Sequence, residues 1–283
     1  MRLCLSFVVL AVASGCASYS VEQSSLVPLP TAPPPAPMSG RGALELGASI
    51  ATGVGPERSS TAASGVAVPQ GQPQGALSVR VADFLVLRAY GGAALPQRAT
   101  QVTGSIPAPQ ESAWFGGIGP VLRILAAERL LFVDIGLSVG FAVIPSTLHI
   151  TDNDACTDSF PPVCSTSVER WREVMPLFAL GTDFGVRPIE WLQLRVGATV
   201  RNQPTNEAQF ARAAVPGSSV SAGPVGLVVH AGVQLDVIDE LGFRADVEWP
   251  AVNLGLAYGP IVTLGVQGRL GPPARTEPIG LEP

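Results

Sequence analysis

The chain has 283 residues, 47% of them apolar and 14% charged, with a net charge of −5 and a mean hydropathy of +0.35. Its 17 basic residues are all Arg, the mark of a GC-rich genome, and they form no basic stripe, which excludes a nucleic-acid footprint. Beyond the N-terminus no run of about 18 apolar residues occurs, so any membrane crossing must be made by strands.

Residues 1–15 read as a secretory signal: Met1-Arg2, an apolar core over 3–12, then Ala13-Ser14-Gly15 before Cys16. Ala13 to Cys16 resembles the lipobox of bacterial lipoproteins, with Ala13 where Leu is usual. That resemblance implies acylation of Cys16, and Ala17 rather than Asp after it implies release to the outer membrane. An ordinary cut after Ala13 is the alternative. Residues 16–42 contain Pro28, Pro30, Pro33, Pro34, Pro35 and Pro37 without periodicity, and they read as an extended lipidated tether.

Ten strands are predicted next, over 43–52, 76–82, 85–95, 112–125, 130–144, 174–186, 191–201, 225–238, 241–249 and 258–270. The fifth carries the pattern most clearly. Leu131, Val133, Ile135, Leu137, Val139, Phe141 and Val143 alternate with Asp134, Gly136, Ser138, Gly140 and Ala142, giving one greasy and one small or polar face. About 9 to 11 residues suffice to span a bilayer as a tilted strand. Tight turns follow strands two, four, six and eight, and longer connections follow the odd ones.

Short turns at one rim and long loops at the other resemble the small bacterial outer-membrane β-barrel superfamily over 43–270, a similarity of pattern that transfers no functional residues. It implies an all-β, antiparallel up-and-down transmembrane barrel of about ten strands in the outer membrane. Both termini would then be periplasmic, with a lipid on Cys16 in the inner leaflet. Leu77, Val79, Val81, Leu192, Leu194 and Val196 are expected to face lipid, whereas a two-sheet sandwich would bury them. Trp114, Phe141, Trp249 and Tyr258 would form the long-loop aromatic belt, and Phe84, Phe184, Trp191 and Phe243 the other. Residues 271–283 read as a disordered tail.

The lumen face collects Arg80, Arg88, Arg123, Asp134, Asp183, Arg195, Asp236, Arg244, Asp246 and Glu248, with Glu45, Arg187, Arg201 and Arg269. Near-balanced signs predict an ion-pair network, because unpaired buried charge is costly. A slim channel with weak anion preference is the alternative.

The connection over 146–173 is the richest surface feature. Cys156 and Cys164, with seven residues between them, can close a disulfide loop. Asp152-Asn153-Asp154 lacks the Gly and terminal Glu of a calcium loop, so no metal is assigned. His149 with Asp152 is the sole catalytic dyad candidate, His230 reads as an interior residue, and no nucleophile or phosphate motif occurs. The expected protein is therefore a non-enzymatic barrel without cofactor, acting through its exterior loops on an unidentified surface or periplasmic protein. A narrow porin-like channel and a lipid-anchored periplasmic sandwich are the other readings.

Overall fold

A computed structural model describes residues 19–34, 42–53, 64–67, 69–96, 110–126, 130–152, 165–189, 191–202, 225–252 and 260–270. Twelve strands occur there: β1 (Tyr19–Leu26), β2 (Leu44–Gly53), β3 (Ser64–Ala67), β4 (Gln72–Ala82), β5 (Leu85–Ala94), β6 (Ala113–Ala126), β7 (Leu131–Asp152), β8 (Ser165–Ile189), β9 (Leu192–Asn202), β10 (Val225–Ile238), β11 (Leu241–Val252) and β12 (Ile261–Leu270). Ten of them close a ring in the order β7-β6-β5-β4-β2-β12-β11-β10-β9-β8, with β8 returning to β7. Every pairing in the ring is antiparallel. Full closure leaves no sheet edge within the ring, and the sandwich reading is overturned.

The wall has its apolar face outside. Ile50, Leu77, Ile118, Leu137, Val139, Leu180, Val196 and Leu264 are each 40–62% exposed. Their strand neighbours Gln74, Ser78, Arg80, Arg88, Arg123, Asp134 and His230 are buried. A water-soluble barrel would reverse these faces, so the protein is a transmembrane β-barrel of the outer-membrane type. Trp114 and Trp249 are exposed near the long-loop ends of their strands, Phe141 is exposed midway along the extended β7, opposite Gly116 of β6, and Phe84, Phe184, Trp191 and Phe243 are exposed near the short turns. Tyr258 lies outside the described residues.

Three departures from the sequence expectation matter for function. First, β7 and β8 outlast their predicted ends and stay in continuous register from Leu131↔Val186 to Asp152↔Ser165. The predicted connection over 146–173 thus shrinks, since β6 leaves β7 at Trp114↔Val143 while β7 continues for nine more residues. Second, β1 takes the place that β6 vacates, pairing Ser25↔Ser146 at the rim and Tyr19↔Asp152 farthest from it, and β3 lies parallel to β1. The four-stranded blade β3-β1-β7-β8 therefore stands above the long-loop rim. Third, the Pro-rich stretch is not an outside tether over its described length. It turns inward after Leu26 and descends the lumen.

Candidate functional site: the occupied lumen

The descending segment, residues 25–34, is buried along almost its whole length. Its first part sits in an apolar collar built from lumen positions near the long-loop strand ends. Leu26 packs on Ala94 and Ala113. Val27 packs with Phe115, Ala142, Ile144, Met175 and Leu177. Leu29 packs on Ala51 and Ile261. Small alanines leave the space that the leucines fill, and each such side chain contributes about 1.5–3 kcal/mol when withdrawn from water.

Below the collar the contacts become polar, and the composition of the segment explains how irregular chain survives there. Every buried N–H needs an acceptor, and proline has none to satisfy. Between Pro28 and Pro34 only Leu29, Thr31 and Ala32 carry an N–H. Leu29 N donates to Gln72 Oε1 at 2.7 Å, Thr31 N to the Leu29 carbonyl at 2.8 Å, and Ala32 N to Glu248 Oε2. The carbonyls are read in the same rhythm: Arg201 donates to Thr31 O at 2.5 Å and Arg88 to Pro34 O. The wall thus contacts N–H groups three residues apart and carbonyls three residues apart. The bond from Thr31 N to Leu29 O closes a tight turn about Pro30 within that path.

The lower lumen holds the predicted charges, but not all of them pair with one another. Arg123 grips Asp134 through two bonds of 2.6 and 2.7 Å, directly across β6 and β7, with its guanidinium 4.9 Å from the centre of the Phe132 ring. Asp183 accepts from His230 at 2.6 Å, Arg195 pairs with Asp246, and Arg244 reaches Ser49 at 3.1 Å. Arg269 bridges Asp236 at 2.6 Å and Glu45 at 3.3 Å, while Arg187 approaches Asp236 at 3.7 Å. Arg80 donates to the Asp83 carbonyl of the first short turn. Arg88 and Glu248 hold the inserted segment instead.

Several of these bonds step over an entire strand, and a glycine lies beneath each. Asp183–His230 passes over Gly197 of β9, Arg195–Asp246 over Gly232 of β10, Asp236–Arg269 over Gly242 of β11, and Arg244–Ser49 over Gly265 of β12. A Cβ on Gly232 would meet Asp246 Oδ1 at 1.9 Å, and one on Gly197 would meet His230 Nε2 at 2.5 Å. The small residues between the lipid-facing positions are therefore saddles for second-neighbour bonds.

With the segment in place, the space left among Ala32, Pro34, Gln74, Arg195, His230 and Glu248 is about 10 Å³. That is room for about one water. Gly42, with a φ of 82°, reverses the chain at the short-turn end, where its N–H bonds to the Arg80 carbonyl and β2 begins its ascent. Positive φ there is a conformation glycine adopts without strain.

Other predicted positions do not converge. His149 and Asp152 both lie on β7, three residues apart, near its outer end. Arg172 pairs with Glu111 on the surface at 2.8 Å. Cys16, Cys156, Cys164, Asn153 and Asp154 lie outside the described residues, and among the described residues no His, Cys, Asp or Glu cluster could hold a metal. The collar, Gln72 and Gln74 escaped the sequence reading. Their signal was the apolar or amide residue at lumen positions near the strand ends.

No protein-family model matches the sequence, and no curated protein matches it. Among solved structures, an outer-membrane channel from Pseudomonas putida F1 is 7% identical, with a TM-score of 0.41 over 85% of this chain and 100% of that one. The translocator domain of autotransporter NalP from Neisseria meningitidis is 9% identical, with a TM-score of 0.37 over 82% and 90%. The outer-membrane protein Ail of Yersinia pestis is 9% identical, with a TM-score of 0.37 over 81% and 100%. At these distances no activity, ligand or partner carries over.

Proposed function

We propose that this protein is a closed, non-enzymatic outer-membrane barrel that works through its exterior surface rather than as a pore. The observation that carries the reading is the lumen occupied by residues 25–34, with the N–H groups of Leu29, Thr31 and Ala32 bonded and about 10 Å³ left beside Ala32 and Pro34. A hydrated ion needs a continuous path far wider than one water. The working surface would be the blade above the rim, where Val168, Glu169, Arg170 and Arg172 are exposed on β8. Among the described residues β9 reaches β8 only from Pro176 onward, so the edge of β8 over 165–173, above the rim, has no described partner strand and would take a strand of the partner. The partner class would be a surface protein, and the apolar band would sit in outer-membrane lipid. Acylation of Cys16 belongs to the same proposal.

Purified full-length protein in a planar bilayer bathed in KCl tests this directly. It should show no steady conductance, and deletion of residues 24–34 should open a stable pore. A steadily conducting wild-type protein would replace this reading with the narrow channel.

A further inference from the structure

The path of the N-terminal segment has a direction, and the direction fixes the side of the barrel on which β1 lies. Ser25 lies at the long-loop rim against Ser146, their hydroxyls 2.8 Å apart. Going back toward the N-terminus, β1 climbs along β7 to Tyr19↔Asp152, farther from the bilayer at every residue. Going forward, the chain passes the collar, Gln72, Glu248 and Arg88, and reappears as Gly42 beside Arg80 at the short-turn end. The chain therefore crosses the thickness of its own barrel once before the first wall strand.

We infer that the protein threads its N-terminal segment through its own lumen and displays β1, Tyr19–Leu26, on the outer face of the membrane, while the wall turns face the periplasm. The inference rests on the outer-membrane reading, in which short turns are periplasmic and long loops external. It replaces the arrangement with a periplasmic N-terminus.

Distances exclude an easy return. β7 is 22 residues long, which at about 3.4 Å per residue and a tilt of about 40° spans about 55 Å from the short turns to Asp152. A mature chain starting at Cys16 has three residues before Tyr19, reaching about 10 Å when fully extended. It cannot come back to the inner leaflet while β1 stays paired to β7, so a lipid on Cys16 would have to enter the outer leaflet, with the first β1–β7 pairs opened to let it reach. Beside Ala32 and Pro34 the lumen has only about 10 Å³ left.

The test uses full-length protein carrying Cys156→Ser and Cys164→Ser, with one added cysteine at Ser20, at Val21, or at Glu240 in the short turn between β10 and β11, and the same protein without an added cysteine gives the Cys16 background that is subtracted. Cells are treated with a membrane-impermeant maleimide before and after permeabilisation of the outer membrane, and only variants that keep a heat-dependent gel shift are scored. Ser20→Cys and Val21→Cys should label on intact cells, at least tenfold more than Glu240→Cys, which should label only after permeabilisation. Protection of both β1 positions on intact cells would overturn the threaded path. Labelling of Glu240→Cys on intact cells would overturn the orientation. Neither result depends on conductance, so the closed-pore reading stands or falls separately.

Discussion

Gly232→Ala is the sharpest perturbation of the wall. Gly232 sits on β10 between Arg195 of β9 and Asp246 of β11, and the two side chains meet across it. The new Cβ would lie 1.9 Å from Asp246 Oδ1 and 2.8 Å from Arg195 Nε, against an ordinary contact beyond about 3.4 Å. The carboxylate must move by more than 1 Å, which breaks its bond to Arg195. Both side chains are over 90% buried, and separating a buried pair costs about 3–5 kcal/mol. Urea unfolding in detergent micelles should report a loss of that size. Gly268→Ala is the control, because its added Cβ would find nothing nearer than the Leu46 carbonyl at 4.0 Å, and it should cost under about 1 kcal/mol. Equal losses at the two glycines would refute the idea that Gly232 is a saddle for Arg195–Asp246, and would point to generic strand propensity instead.

Two further outcomes are expected. Removing the guanidinium groups that hold the segment, with Arg88→Ala and Arg201→Ala together, deletes two charge-assisted bonds worth about 1.5 kcal/mol or more each. Brief openings in single-channel records should rise by about a hundredfold, and unchanged records would mean the collar alone retains the segment. Cys16→Ser should abolish incorporation of radiolabelled palmitate, whereas label retained on the variant would exclude the lipobox reading.

The wall was legible in the sequence because lipid imposes a period of two on every residue it touches. Leu131 to Phe141 could hardly be read otherwise, and the lumen charges followed from their intervening positions. The blade was not legible, since residues 146–152 and 165–173 leave the hydrocarbon and lose the alternation that marks a spanning strand. The lumen segment was hidden for a different reason. Its prolines break every helix or strand period, and its recognition lies in the spacing of the few N–H groups that remain, Leu29 and Ala32. Glu248 and Arg88 were assigned to the interior but to the wrong partners, because a charge count cannot distinguish a side chain that binds its neighbour from one that binds backbone.

The prolines also bear on how such a protein assembles. During wall formation, any segment with free donors and acceptors competes to zip onto the open edges of β7 or β8. Residues 19–25 can do so and are found paired to β7. Residues 28–35 cannot, for five of the eight are proline. The sequence thus sorts itself kinetically into material that can join the growing sheet and material that can only be enclosed by it. A variant with Pro28, Pro30 and Pro33 replaced by Thr would blur that sorting, and misregistered barrels should compete with the closed ring.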